Sequence, residues 1–140
     1  LWDNYMNYGH GTGHGVGSFL NVHEGPQTIG TGATGDMKTS IEPGMVTSDE
    51  PAFYRPGLYG FRTENLLVCR EEKETEYGSF LGFETVTLCH IDPELIDVSL
   101  LDESELEWLN GYHSRVYESL HEHLEPELRD WLRKKTMPLA

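Results

Sequence analysis

Residues 9–17 read GHGTGHGVG, with glycine at every odd position. This segment does not suit a helix, because each interior glycine costs roughly 1 kcal/mol relative to alanine. In an extended chain the alternation leaves one face without side chains, so that another backbone or a ligand can approach closely. The opposite face carries His10, Thr12, His14 and Val16. The segment therefore predicts sheet and loop structure for the first part of the chain.

The same glycines could suggest a phosphate-binding loop. The segment matches neither GxGxxG nor GxxxxGK[ST], and no lysine follows it. A helix would place His10 and His14 together as a metal-binding pair, but in an extended chain their Cα atoms lie roughly 13 Å apart. We therefore expect the two histidines to have different roles, with at most one of them binding a given metal ion.

Charge is unevenly distributed along the 140 residues, which carry a net charge of −14. Residues 1–60 hold 12 of the 15 glycines and only 6 acidic residues, whereas residues 61–140 hold the other 18 acidic residues. This acidity argues against nucleic acid or an anionic membrane as a partner, since phosphate neutralisation needs clustered lysine and arginine. No apolar run approaches the roughly 20 residues that cross a bilayer. Cys69 and Cys89, both in apolar strand-like runs, are expected to be buried thiols of a cytoplasmic protein.

Hydrophobic spacing predicts several antiparallel strands followed by two helices, an α+β chain. Strands are expected at 18–23, 45–50, 61–69 and 80–90, with a loop at 25–44 and charged turns at 70–79. Asp102 and Glu105 form a capping-box pattern, and apolar residues then recur every three to four positions, which predicts a helix at about 102–124. Pro126 suits the first turn of a second helix, at 126–136.

Three charged residues are candidates for chemistry. Glu50 ends one predicted strand, while Glu64 lies within another with Arg62 two residues earlier on the same face. A carboxylate and a guanidinium are costly to bury unpaired, so these side chains could pair with each other or across the sheet. Alternatively, the two glutamates and one histidine converge on a divalent ion such as Mn²⁺, Co²⁺ or Zn²⁺. The spacing leaves both alternatives open.

Three segments resemble a known family: GHGTGHGVGSFLNVHEGP (9–26), GMVTSDEPAFYRPGLYGFRTENLLVC (44–69) and WLNGYH (108–113). They closely resemble the Xaa-Pro aminopeptidases (aminopeptidase P), in particular the long multidomain cytosolic type. These enzymes belong to the creatinase/methionine aminopeptidase superfamily of metallopeptidases with the pita-bread fold. The resemblance implies that residues 1–140 form the C-terminal portion of the catalytic domain, with mostly antiparallel strands in 9–92 followed by the two C-terminal helices.

The resemblance also implies roles for individual residues. His14, Glu50 and Glu64 match three of the family's five metal ligands, with Glu64 bridging two ions and Glu50 serving as general base. His10 and His23 match two histidines that bind the substrate and assist proton transfer.

Arg62 and Tyr54 match two more family residues, which contact the metal-binding carboxylates without binding the metal themselves. The family's other two ligands are aspartates in a segment of the DSGGQY…GTTDVTR kind, and nothing in these 140 residues resembles it. The chain is therefore expected to be only the C-terminal part of the catalytic domain. The missing upstream half of the polypeptide is an expected partner.

The implied activity is hydrolysis of the N-terminal Xaa-Pro peptide bond by metal-activated water at a dinuclear site. Two divalent ions are expected, Mn²⁺ first, with Co²⁺ or Zn²⁺ as alternatives. With three of five ligands, the 140 residues alone are expected to bind metal weakly or not at all and to be inactive. The other expectations are an Xaa-Pro peptide substrate, a homo-oligomer such as a dimer, and a cytoplasmic location. The alternative is a non-catalytic pita-bread module that binds proteins or peptides, and the retained site residues favour the enzyme.

Overall fold

The computed structural model describes residues 1–19, 21–30 and 39–140. The chain divides into two compact units, Leu1–Thr87 and Leu88–Ala140. The first contains the strands and the second the two α-helices, so the predicted order of antiparallel strands followed by helices is confirmed. Within the described ranges, none of the helices has both the length and the apolar character that a membrane crossing needs.

The described residues of the first unit form three small antiparallel sheets. Their strands are β1 (Gly13–His14), β2 (Thr28–Ile29), β3 (Val46–Asp49), β4 (Ala52–Arg55), β5 (Tyr59–Arg62), β6 (Asn65–Thr75) and β7 (Gly78–Thr85). β1 pairs with β2, β4 pairs with β5, and the third sheet has the order β3-β6-β7. A bridge between Gly15 and Thr47 brings β1 alongside β3. This contact positions the candidate site.

The predicted strand at 18–23 is wrong. Its described residues form bends, because the N–H of Gly17 donates to the carbonyl of Asn21 and turns the chain back. Leu20 and residues 31–38 lie outside the described residues, so part of the predicted loop at 25–44 is not tested. The described part of that segment contains β2, which hydrophobic spacing did not predict.

The predicted strand at 61–69 is two strands that separate at Thr63–Glu64. β5 pairs with β4 whereas β6 pairs with β3, so the chain changes partner between them. The predicted charged turns at 70–79 are also wrong, since β6 continues to Thr75 and the turn lies at its end. β7 ends at Thr85, so the strand predicted to reach residue 90 is shorter. Cys69 is buried as expected, but Cys89 is exposed.

The second unit begins its main helix where the capping box predicted. The side chain of Asp102 accepts the N–H of Glu105 at 2.8 Å, and the Glu105 carboxylate accepts the N–H of Asp102 at 3.0 Å. Helix α1 spans Glu103–Leu120 and α2 spans Pro126–Lys135. The predicted first helix is a few residues too long, because His121–His123 form a separate 3-10 turn. Tyr112, Val116 and Leu132 form the centre of this unit's core.

We expect His113 to make the second unit sensitive to acid. Its ring is fully buried, and Nε2 accepts the N–H of Ile91 at 3.2 Å. Nδ1 has no hydrogen-bond partner among the described residues. Burial lowers the pKa of His113 below its ordinary 6.5, so the unfolded chain binds this proton more readily than the folded chain. The free energy of unfolding should therefore fall as pH drops through 6.5, by at most about 1.4 kcal/mol per pH unit.

Urea unfolding followed by helical circular dichroism between about pH 5 and pH 8 measures this slope. Replacing His113 by asparagine should flatten the slope, because the group that titrates differently in the two states is gone. The matched control is His121→Asn at the end of α1, where the ring is partly exposed; it leaves His113 in place, so the loss of stability that His113 causes in acid should remain. An unchanged slope in His113→Asn would show that other groups carry the acid sensitivity.

Candidate metal centre

Glycines 13 and 15 allow two backbones to pack against β1. A Cβ added to Gly13 would overlap the carbonyl oxygen of Ser48, and a Cβ added to Gly15 would overlap the carbonyl oxygen of Glu24. The prediction that the glycine-bearing face admits close approach of another backbone is therefore confirmed at these positions. The close approach brings His14, between these glycines, to the end of β3.

His14 and Glu50 meet through Ser48. The N–H of His14 donates to Ser48 Oγ at 3.0 Å, and Ser48 Oγ donates to Glu50 Oε1 at 3.1 Å. His14 Nδ1 lies 2.9 Å from the carbonyl oxygen of Gly15, which can only accept, so Nδ1 carries a proton. In the neutral imidazole, Nε2 therefore presents its lone pair to Glu50 Oε1, 3.2 Å away.

Two hydrogen-bond acceptors 3.2 Å apart repel each other unless a cation lies between them. A second proton on the ring of His14 would supply one, and a shared metal ion would supply another. Metal–ligand bonds of about 2.0–2.2 Å place two ligands of one ion about 3.0–3.4 Å apart. The observed 3.2 Å between His14 Nε2 and Glu50 Oε1 fits that range, and both side chains are largely shielded from solvent. This pair therefore fits one divalent ion.

The break in the sheets brings Glu50 and Glu64 together. The break separates the β3-β6 pair, in which Asp49 faces Asn65, from the β4-β5 pair, in which Ala52 faces Arg62. The same pairing register continues from the first pair of strands to the second. That register places Glu50 opposite Glu64. Like charges directly opposite each other across antiparallel strands are destabilising. The arrangement therefore also requires a cation between or beside the two carboxylates.

Arg62 is the cation that contacts both glutamates. Its NH1 lies 3.4 Å from Glu50 Oε2, and its Nε lies 2.6 Å from Glu64 Oε1. The alternative in which Arg62 pairs with Glu64 is thus present, and it extends to Glu50. Each carboxylate uses one oxygen for the arginine, which leaves Glu50 Oε1 on the side of His14. Over the described ranges, no three metal-ligating side chains already converge on one point.

The other candidate residues lie around this centre. The ring of His23 lies 4.4 Å from that of His14, centroid to centroid. His10 Nε2 lies 3.0 Å from the hydroxyl of Tyr54, while His10 Nδ1 faces the carbonyl of Gly11 at 2.7 Å. Nε2 of a neutral His10 therefore accepts the Tyr54 proton. His10 and His14 have different partners, in line with the argument from an extended chain.

The resemblance implied that Tyr54 holds the metal-binding carboxylates, whereas the structure places its hydroxyl on His10. Sequence reasoning did not single out Ser48, although its position two residues before Glu50 on one strand face was visible. It also missed a cavity of about 630 Å³ whose walls include Tyr8, His10 and Pro51. That cavity depends on tertiary packing, which no local pattern shows.

The sequence matches the patterns of two known protein families. The pattern of metallopeptidase family M24 matches residues 1–71, and the pattern of the C-terminal region of peptidase M24 matches residues 79–139. The chain belongs to metallopeptidase family M24. The glycine-rich segment 9–17 and the candidate centre lie within the first match, while both α-helices lie within the second.

Relatives of this M24 chain carry a more specific name. It is 45% identical over 144 residues to "Probable Xaa-Pro aminopeptidase P" of Coprinopsis cinerea, covering 99% of this chain and 23% of that protein. A protein of the same name from Aspergillus flavus is 45% identical over 145 residues, covering 100% and 22%. The chain therefore spans less than a quarter of the length of these relatives.

A solved structure agrees with these relatives. The X-prolyl aminopeptidase of Caenorhabditis elegans, described as a cytosolic enzyme with a di-nuclear active site, matches with a TM-score of 0.88 and 39% identity. The match covers 99% of this chain and 23% of that one. The resemblance to Xaa-Pro aminopeptidases is confirmed, as is the expected C-terminal part of their fold.

Proposed function

We propose that this M24 chain provides the C-terminal half of an Xaa-Pro aminopeptidase active site. The observation that carries the proposal is the pair of facing acceptors, His14 Nε2 and Glu50 Oε1, 3.2 Å apart. Glu64 lies opposite Glu50 in the strand register, which adds a second carboxylate to the same place. One imidazole and two carboxylates suit Mn²⁺, Co²⁺ or Zn²⁺, with Mn²⁺ as the first expectation.

His14, Glu50 and Glu64 would hold the ions in the complete site. Two divalent ions, when bound, supply a water of lowered pKa and polarise the carbonyl before proline. Glu50 would serve as general base and accept a proton at Oε1, the oxygen that Arg62 does not contact. Arg62 would keep the outer oxygens of both glutamates, so that their inner oxygens stay available.

His10 and His23 would act on the substrate side. The Tyr54 hydroxyl and the Gly11 carbonyl hold both ring nitrogens of His10, which fixes the orientation of the ring. His10 Nε2, once it releases the Tyr54 hydroxyl, would contact the leaving nitrogen of proline, while His23, beside His14, would stabilise the tetrahedral intermediate. The cavity beside His10 has a volume within the range of small-ligand sites, which suits a short peptide.

The test is hydrolysis of an Xaa-Pro-Xaa peptide by the full-length gene product that contains these residues. We expect turnover that requires Mn²⁺, is removed by a chelator, and is absent with an Xaa-Ala-Xaa peptide. We also expect the full-length product to be cytoplasmic and homo-oligomeric. Turnover that persists in excess chelator would contradict the proposal.

The 140 residues alone should show no turnover, because they supply only three of the five family ligands. Isothermal titration with Mn²⁺ should detect binding that is weak or absent, whereas the full-length product binds two ions. The matched control is a mixture of the 140-residue chain and the full-length product. Normal hydrolysis by the mixture excludes an inhibitor in the preparation of the shorter chain. Robust hydrolysis by the 140-residue chain would show that its own residues complete the site.

A non-catalytic peptide-binding module is the second candidate. It is favoured by the ion pairs from Arg62 to both glutamates, which balance their charges without a metal. Such a module would bind Xaa-Pro peptides in the presence of chelator and release them unchanged. Titration of the peptide into metal-free protein separates it from the enzyme.

A further inference from the structure

Ser48 contacts both His14 and Glu50, the two candidate ligands that lie closest together. The antiparallel bridge from β1 to β3 places Ser48 opposite His14. The alternation of side chains along β3 places Ser48 on the same face as Glu50. Ser48 is only 5% exposed, so groups of the protein must satisfy its hydroxyl. One small side chain therefore reaches both candidate ligands from a buried position.

The direction of both hydrogen bonds of the Ser48 hydroxyl follows from its partners. The N–H of His14 can only donate, so Ser48 Oγ accepts this bond, which measures 3.0 Å. The single proton of the hydroxyl is directed to Glu50 Oε1, a carboxylate oxygen 3.1 Å away. The hydroxyl thus joins the main chain of one candidate ligand to the side chain of the other.

Ser48 and Arg62 together fix the rotation of the Glu50 carboxylate, because each holds a different oxygen. Arg62 NH1 lies 3.4 Å from Oε2, whereas Ser48 donates to Oε1. The terminal torsion of a glutamate side chain is otherwise broad. Each carboxylate oxygen has two lone pairs, so Oε1 keeps one that is directed beside His14 Nε2. Without the Ser48 hydroxyl, the carboxylate is free to turn both oxygens toward the guanidinium in a bidentate pair.

We propose that Ser48 is a positioning residue of the metal centre, which holds Oε1 of Glu50 toward His14. The inference rests on the proposed function, and it concerns a residue to which the family resemblance gave no role. Side chains that orient metal ligands typically change metal affinity or activity by about 10–100-fold when they are replaced. Ser48 acts in this way through Glu50, because the proton of its hydroxyl lies on that carboxylate.

Thr47 offers a matched control on the same strand. It is fully buried, and its Oγ1 donates to the carbonyl of His14 at 3.1 Å. The other neighbour of Thr47 Oγ1 is the carbonyl of Ser48, at 3.3 Å. Both hydroxyls therefore hold the main chain of His14, but only that of Ser48 also holds Glu50. Replacing each in turn separates the packing of β1 on β3 from the orientation of the carboxylate.

Calorimetric titration of the full-length gene product with Mn²⁺ tests the inference. Ser48→Ala should bind Mn²⁺ about 10–100-fold more weakly and should lower kcat with little change in KM. Thr47→Val should lower the melting temperature by a similar amount, because it also loses one bond to His14, but it should weaken Mn²⁺ binding much less. Equal losses of affinity in the two variants would overturn the inference, since both hydroxyls would then only hold β1 against β3.

A double-mutant cycle identifies the group through which Ser48 acts. In a Glu50→Ala background no carboxylate remains to be oriented, so Ser48→Ala should cause little further loss of Mn²⁺ affinity. A further loss as large as that in the unaltered background would overturn the inference, as would Ser48→Ala that binds Mn²⁺ as tightly as the unaltered product. Failure of the unaltered product to bind Mn²⁺ would instead overturn the proposed function, and this inference with it.

Discussion

Replacing Glu50 by glutamine should lower the rate of Xaa-Pro hydrolysis by the full-length gene product by about 10²–10⁴-fold. Glutamine keeps the size of the side chain and can still accept from Ser48 Oγ. It removes the negative charge that faces His14 and removes the group proposed to accept the proton of water. Steady-state kinetics at saturating Mn²⁺ should show the loss mainly in kcat, and calorimetry should show weaker metal binding.

The neighbouring residue offers a matched control for Glu50. Asp49→Asn makes the same acid-to-amide change one residue earlier, on the opposite face of β3. It should retain activity close to that of the unaltered protein. Equal losses in both variants would indicate a general effect of the substitutions on β3. Full activity in Glu50→Gln would exclude Glu50 as the general base.

The sequence predicted the members of the candidate centre better than it predicted their geometry. His14, Glu50 and Glu64 came from a family resemblance, and the extended spacing of the histidines separated His10 from His14. The position of Glu64 opposite Glu50 depends on a register shared by two different strand pairs. No local pattern contains that information, because it arises from the pairing of distant strands on either side of the break between the β3-β6 pair and the β4-β5 pair.

Predictions of the elements failed where the hydrogen-bond partner, and not hydrophobicity, decides the structure. The apolar run at 18–23 suggested a strand, but its backbone turns back toward Gly17. The charged run at 70–75 suggested turns, yet it forms the solvated part of β6 because β7 provides its backbone partners. Helix α1 was predicted well, since its capping box and apolar spacing are local features.

Replacing Gly13 by alanine should disrupt the centre without touching any proposed ligand. The new Cβ would overlap the carbonyl oxygen of Ser48, a backbone atom that cannot move alone. β1 would have to separate from β3, which breaks the bond from the N–H of Glu50 to the carbonyl of Thr12, now 2.7 Å. Overpacking of this kind costs roughly 1–3 kcal/mol or more. We expect a lower melting temperature together with loss of metal binding and hydrolysis.

Gly9→Ala separates this steric effect from the general effect of removing a glycine. Gly9 belongs to the same alternating segment, but a Cβ there would meet no atom within 4 Å. Its stability should stay equal or rise slightly, because alanine restricts the unfolded chain. Normal metal binding in Gly13→Ala would mean that β1 need not contact β3 for His14 to reach Glu50. The glycine alternation would then serve the chain's flexibility, whereas the close contact at Ser48 indicates that it serves packing.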